Sequence, residues 1–206
     1  MENYLGSAIC PCGREHDVAI DDVIVGKGVV NRLPEFVNKY GAKKPFILAD
    51  ANTYKAAGET VAEILKSNGI AFSSYIFQKD ALEPDEEAVG SAVMHFDPSC
   101  DLIIGVGSGV INDIGKILSN VSGRKYIIVG TAPSMDGYAS ATSSMSMDGL
   151  KVSLNSRCAD VIIGDIDILK NAPAHMLKSG LGDMLAKFVS SASCRCSSTM
   201  GEVSLR

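Results

Sequence analysis

No uninterrupted apolar run in the sequence approaches the roughly 20 residues that a helix needs to cross a bilayer. Clusters of lysine and arginine are missing as well. The 19 basic residues are scattered, 24 acids outnumber them, and the formal net charge of −5 disfavours non-specific binding to nucleic acid or anionic membranes. The opening "MENYLGSAIC" has no charged start followed by a long apolar core, so no secretory signal is read there. The expectation is a cytoplasmic protein with no nucleic-acid or membrane partner. Histidine is scarce, with His16, His95 and His175 the complete set. Internal repeats and charged linkers are absent too.

What is present suits a globular protein. Hydrophobic residues make up 46% of the chain and charged residues 21%, enough to bury a sizeable core. A length of 206 residues fits one large domain, or one domain and part of a second. The six cysteines (Cys10, Cys12, Cys100, Cys158, Cys194 and Cys196) are expected as thiols in a chain of this class. "CPCGREH" places Cys10, Cys12 and His16 within seven residues. These are incidental thiols or part of a metal site, but no fourth ligand stands nearby to complete a tetrahedron.

Short apolar runs alternate with helical patterns between about residues 18 and 131. "VAIDDVIVG" reads as a strand or tight strand pair, and "PFILAD" (45–50) as a strand ending on Asp50. Residues 52–69 read as a helix, with Tyr54, Ala57, Val61, Ile64 and Leu65 on one face, Asn52 or Thr53 as its cap, and Gly69 at its end. "IAFSSYIF" is a strand. "EPDEEAVGSAVMHF" is a helix with acids in its first turn and Ala88, Val89, Ala92, Val93 and Phe96 facing inward. "CDLIIGVGSG" is a buried strand running into glycines, and the helix "VINDIGKILSN" turns Val110, Ile111, Ile114, Ile117 and Leu118 inward. "KYIIVGTAP" is the next strand. Such alternation predicts an α/β fold, a parallel sheet with helices on both faces. Residues 141–155 break the rhythm with period-two patterning about Asp148-Gly149, a hairpin. "DVIIGD" (160–165) is a further buried strand. A boundary near Asn171–Pro173 divides a first domain (1–172) from a helical segment (173–206) with the apolar stripe Leu177, Leu181, Met184, Leu185 and Phe188.

Three stretches carry chemistry. In "GVGSGVINDIGK", Gly105, Gly107 and Gly109 stand where a strand turns into a helix. Glycine there permits close backbone approach, and the helix start offers free N–H groups to a phosphate. Tight turns use glycine for steric reasons too, and Asp113 and Lys116 read equally as a solvated local pair. "GTAPSMDGYASATSS" follows a strand and supplies the Thr131, Ser134 and Ser140 hydroxyls and the Asp136 carboxylate. These suit a polyhydroxy ligand and a nicotinamide amide, or simply a well-capped turn. In "GLGDMLAK", Asp183 lies opposite the apolar stripe, either paired with Lys187 on an exposed face or aimed at a cleft as a metal ligand.

In this order and spacing the three stretches resemble the sn-glycerol-1-phosphate dehydrogenases. Their wider superfamily includes glycerol dehydrogenase, iron-containing alcohol dehydrogenases and 3-dehydroquinate synthase. The resemblance spans about residues 10–190, and "TAPSMDGYAS" is its specific part. It implies a Rossmann-like NAD(P)-binding domain and an all-helical metal-binding domain, with the active site between them. It further implies zinc or nickel as the metal, a homo-oligomer, and reversible hydride transfer between NAD(P)H and dihydroxyacetone phosphate to give sn-glycerol 1-phosphate. Carried onto these residues, Gly107, Ser108, Gly109, Val110 and Ile111 cradle the pyrophosphate, and Asp113 joins them in binding the cofactor. Asp50 meets the adenosine ribose, Thr131, Ala132, Pro133 and Ser134 line the cofactor, and Ser140 contacts its nicotinamide end. Asp136 holds the substrate, Asp183 binds metal and substrate, and the two are the candidate catalytic residues. The family's metal also takes two histidines from later helices. Here none follows Asp183, and His175 stands about 80° away around a helix. From about Ser190, "SSASCRCSSTMGEVSLR" departs from the family and the helical pattern stops, leaving a truncated stub of the second domain. A weak or inactive dehydrogenase is therefore expected. The alternatives are a non-catalytic nucleotide-binding fragment and a dehydroquinate synthase-like lyase.

Overall fold

A computed structural model of the chain describes residues 19–79 and 81–203 and the paired segments β1 (Ala8–Ile9) and β2 (Glu15–His16), with side chains over 19–79 and 81–190. The Cys10, Cys12, His16, Cys194 and Cys196 side chains lie outside the described residues.

In chain order the remaining strands are β3 (Asp22–Gly26), β4 (Pro45–Asp50), β5 (Ser73–Phe77), β6 (Leu102–Gly107), β7 (Lys125–Gly130), β8 (Thr142–Met147), β9 (Leu150–Asn155) and β10 (Val161–Asp165). The helices are α1 (Leu33–Lys39), α2 (Ala51–Thr53), α3 (Glu59–Ser67), α4 (Glu86–His95), α5 (Gly109–Ser122), α6 (Ile166–Leu169) and α7 (Ala174–Val203). Six strands pair in parallel in the order β3-β10-β7-β6-β4-β5. This is the Rossmann-like sheet expected from the sequence.

Because side chains alternate along a strand, each central strand serves two cores. Ile47, Ala49, Ile104, Val106, Ile127 and Val129 pack under α1 and α3. Phe46, Leu48, Ile103, Tyr126 and Ile128 pack under α4 and α5. The connections after β4 and after β6 thus leave on opposite faces. The sheet order reverses between these two adjacent strands, which opens a crevice at their carboxyl ends.

The local readings hold in outline and change in detail. Residues 22–26 form one strand, not a tight pair. The helix after β4 starts at Ala51, and its cap is Asp50, not Asn52 or Thr53. The Asp50 carboxylate accepts from the Asn52 and Thr53 amides at 2.8 and 2.9 Å, and the Thr53 hydroxyl accepts in return from the Asp50 N–H. That helix passes through a turn of π-helix at Tyr54–Gly58 before α3. In α4, Val93 is 46% exposed, so the inward stripe narrows to Ala88 and Ala92 with Val89 and Phe96 partly buried. The hairpin β8–β9 turns at Asp148-Gly149 as read, both with positive φ (50° and 77°). Helix α1 went unread. It starts on Leu33-Pro34, where proline suits the first turn, and runs only seven residues.

Helix α7 departs most from expectation. Its helical backbone continues through the serine-rich stretch to Val203. Serine and cysteine are mediocre helix formers but not breakers, and no proline follows Pro173. The apolar stripe is exposed, as expected of a helix without its packing partner: Leu181, Met184, Leu185 and Phe188 are 63%, 55%, 57% and 75% exposed.

Candidate functional site

Two cavities open at the carboxyl edge of the sheet. The first, about 560 Å³, is lined by Asn52 and Thr53 beyond β4, Ser108 beyond β6, Thr131 and Ala132 beyond β7, and Met176 of α7. The second, about 630 Å³, is lined by Gly109, Asp113, Asp136, Ser140, Lys151 and Asp183 among others. Ser108 borders the first and Gly109 the second, so the start of α5 stands between them.

That start is open. Ser108 is the N-cap residue, yet its side chain makes no capping hydrogen bond. The three nearby glycines have different jobs. Gly105 lies within β6, and its missing Cβ makes room for Tyr126. A Cβ there would stand 2.3 Å from the Tyr126 hydroxyl, and one on Gly115 would stand 2.5 Å from it. Gly105 is therefore a packing glycine rather than part of a phosphate turn. Gly107 is also pressed, since its Cβ would meet the Ile111 Cβ at 2.5 Å. Ile111 is 1% exposed, and Val110 packs partly against the same core. These residues can reach a ligand only through their backbone. Gly109 is different, because a Cβ there would come no closer than 3.6 Å to Met135. Its openness is not a packing requirement.

The loop after β7 is fixed by several bonds. The Thr131 amide donates to the Gly107 carbonyl at 3.0 Å. The Tyr138 hydroxyl, half-buried, donates to the Ala132 carbonyl at 2.7 Å. Asn112 is fully buried and donates to the Gly137 carbonyl at 3.3 Å. Neither Tyr138 nor Asn112 was singled out in the sequence, although an asparagine on the inward side of a helix was a usable signal.

Asp113 and Lys116 form an ion pair at 2.9 Å, but not a solvated one, because the Lys116 side chain is 1% exposed. Its ammonium also donates to the Thr142 carbonyl at 2.5 Å. Burial pushes the Asp113 carboxyl up, opposed by Lys116.

Asp136 and Asp183 are brought together across 47 residues of chain. The Asp136 amide donates to Asp183 Oδ2 at 2.8 Å. Lys187 pairs with Asp136 at 2.5 Å rather than with Asp183, so the expected i,i+4 pair gives way to a bridge from helix to loop. This bridge holds the Asp136 carboxyl below its usual range. The docking depends on Gly180, where a Cβ would lie 1.8 Å from the Pro133 carbonyl oxygen. Backbone meets backbone there, which sequence alone does not reveal.

The remaining candidates are spread around this centre. Ser140 lines the second cavity and its Oγ lies 2.8 Å from Thr142 Oγ1. Pro133 sits beneath α7 with Ser134 beside it. Asp50 stands at the end of β4 with one oxygen already used in capping. His95 stacks on Tyr75 at 4.1 Å and His175 is exposed, so neither approaches Asp183 in a described contact. Among the described residues, no three His, Cys, Asp or Glu side chains converge as a metal cage. Cys100 and Cys158 are free thiols.

The family model for iron-containing alcohol dehydrogenases matches residues 24–173. A glycerol-1-phosphate dehydrogenase [NAD(P)+] of Halalkalibacterium halodurans is 36% identical over 88% of this chain and 46% of its own length. Another of that name, from Bacillus velezensis, is 32% identical over 84% of this chain and 45% of its own. The chain spans about half the length of the curated relatives it matches. Among solved structures, glycerol dehydrogenase from Schizosaccharomyces pombe superimposes with a TM-score of 0.75 at 22% identity, covering 91% of this chain and 45% of that one. With most of the chain matched and the parallel sheet in place, the protein belongs to the iron-containing alcohol dehydrogenase family.

Proposed function

We propose that this chain supplies the NAD(P)-binding portion of a glycerol-1-phosphate dehydrogenase, which interconverts dihydroxyacetone phosphate and sn-glycerol 1-phosphate. The observation that carries this reading is the uncapped start of α5 at the point where the sheet order reverses, beside a cavity of about 560 Å³. The relatives' names supply the substrate.

In this reading the residues divide as follows. The backbone amides of Gly107, Ser108, Gly109, Val110 and Ile111 hold the pyrophosphate, with Asp113 anchoring Lys116 beneath the helix. Asp50 takes the ribose through its second oxygen. Thr131, Ala132, Pro133 and Ser134 form the wall along the cofactor, and Ser140 meets its nicotinamide end. Asp136 and Asp183 hold the polar end of the substrate. The cofactor supplies the hydride. The chain fixes the two reactants relative to each other, and such positioning can account for a large part of a rate enhancement. Residues 1–172 form the nucleotide domain and 173–206 begin a helical one. The outward apolar stripe of α7 suits burial against further protein, including a second copy in a homo-oligomer.

Zinc or nickel enters this reading through Asp183 alone. One carboxylate, with a lysine two contacts away, does not fit either ion. The chain by itself is therefore expected to bind NAD(H) but to turn over dihydroxyacetone phosphate weakly or not at all. Absorbance at the reduced-nicotinamide band tests this with the purified chain, NADH, substrate and added zinc or nickel. A turnover of about 1 per second or more, the ordinary range for enzymes, would contradict it.

A further inference from the structure

The second cavity is lined by residues of the hairpin, of α5, of the loop after β7 and of α7. Residues opposite each other in an antiparallel pair point to the same face. Thr142 faces Asn155, Ser144 faces Ser153, and Ser146 faces Lys151. The alternate face carries Met145, Met147 and Leu154, which line an apolar hollow against α4 and α5. The hairpin therefore presents hydroxyls and one lysine on its polar side, and Thr142, Ser144 and Lys151 line the cavity.

The charges in the cavity pair unevenly. Lys116 is taken by Asp113, and Lys187 by Asp136. Asp183 accepts a backbone amide but has no lysine within ion-pair distance among the described residues. Among the described residues, Lys151, exposed at the hairpin end, likewise has no carboxylate within that distance. Asp113, which lines the same cavity, is already paired with Lys116. Among the described residues, the lining thus holds one cation outside an ion pair, Lys151, supplied with hydroxyls by the hairpin, and one such carboxylate, Asp183, supplied by α7.

We propose that Lys151, with the Ser144 and Thr142 hydroxyls, is the seat for the anionic phosphate of the substrate, and that Asp136 and Asp183 receive its hydroxyl and carbonyl groups. This rests on the substrate class in the reading above and adds the residue that selects a phosphorylated three-carbon ligand over its uncharged parent. A lysine acts here as a strongly hydrated point charge, and the neighbouring hydroxyls supply direction.

Calorimetric titration tests the assignment with dihydroxyacetone phosphate and with dihydroxyacetone, each into the chain without cofactor. The wild type is expected to prefer the phosphate ester at least tenfold. Lys151→Met should remove most of that preference, and Lys151→Arg should retain it. Dihydroxyacetone itself should bind all three alike. An exposed hairpin lysine is not a folding determinant, and unchanged melting temperatures will verify this. A phosphate preference that survives in Lys151→Met overturns the proposal, as does a wild type with no preference. A separate NADH titration of the same proteins reports on the cofactor reading. NADH binding without phosphate selectivity sinks the Lys151 assignment alone, and selectivity without NADH binding sinks the cofactor reading alone.

Discussion

Gly109→Asp is expected to weaken NADH binding on the order of 100-fold, about 2.8 kcal/mol, while the melting temperature stays within a few degrees of the wild type. Two effects of opposite sign make this sharp. An acid in the first turn of a helix interacts favourably with the helix dipole, so α5 loses nothing and gains a few tenths of a kcal/mol. A Cβ at Gly109 meets only Met135, at ordinary contact distance. The same carboxylate stands where the pyrophosphate would sit and repels it. A glycine kept for packing behaves otherwise. Gly107→Ala must displace Ile111, so stability falls first and binding falls with it. Melting curves and fluorescence titrations of both variants separate the cases. A Gly109→Asp protein that binds NADH like the wild type would show that the start of α5 is not the phosphate seat.

The second large effect is at Gly180. Gly180→Ala should cost about 3 kcal/mol in denaturant unfolding and detach the first turns of α7 from the loop at Pro133. A Cβ 1.8 Å from a carbonyl oxygen cannot be accommodated by a rotamer change. The loop cannot yield easily either, because the Thr131 amide fastens it to Gly107 of β6 and the Tyr138 hydroxyl ties it internally to the Ala132 carbonyl. Hydrogen exchange at the Asp136 amide should quicken as its Asp183 partner moves away. Gly182→Ala, where no atom lies within 4 Å, is the control and should be neutral or slightly stabilising. Equal stability of the two variants would mean that α7 does not dock through Gly180.

These two glycines show where sequence reasoning stops. Strands such as "PFILAD" and "KYIIVG" were legible because fully buried parallel strands are continuous apolar runs, and helices between them carry a stripe of their own. Asp148-Gly149 was legible because few residue pairs tolerate positive φ in succession. Gly105, Gly107 and Gly109 look equivalent in sequence. Only the positions of Tyr126 and Ile111 divide them into two packing glycines and one open to a ligand. Gly180 carried no local signal, because its role comes from a loop nearly fifty residues earlier. The burial of Lys116 was hidden for a related reason: its shield is the Thr142 carbonyl at the edge of a hairpin that local spacing cannot place. The pairing of Asp136 with Lys187, rather than Asp183 with Lys187, likewise depended on how α7 meets the loop. The loop chemistry at Asp136 and the acid at Asp183 were both identified from sequence, yet their contact was not.

The most direct test of a dinucleotide seat at the switch point is a structure of the chain with NAD bound. The account predicts the pyrophosphate within hydrogen-bonding distance of the amides at the start of α5, with the adenosine ribose beside Asp50. A dinucleotide bound elsewhere, with Ser108 and Gly109 untouched, would contradict it.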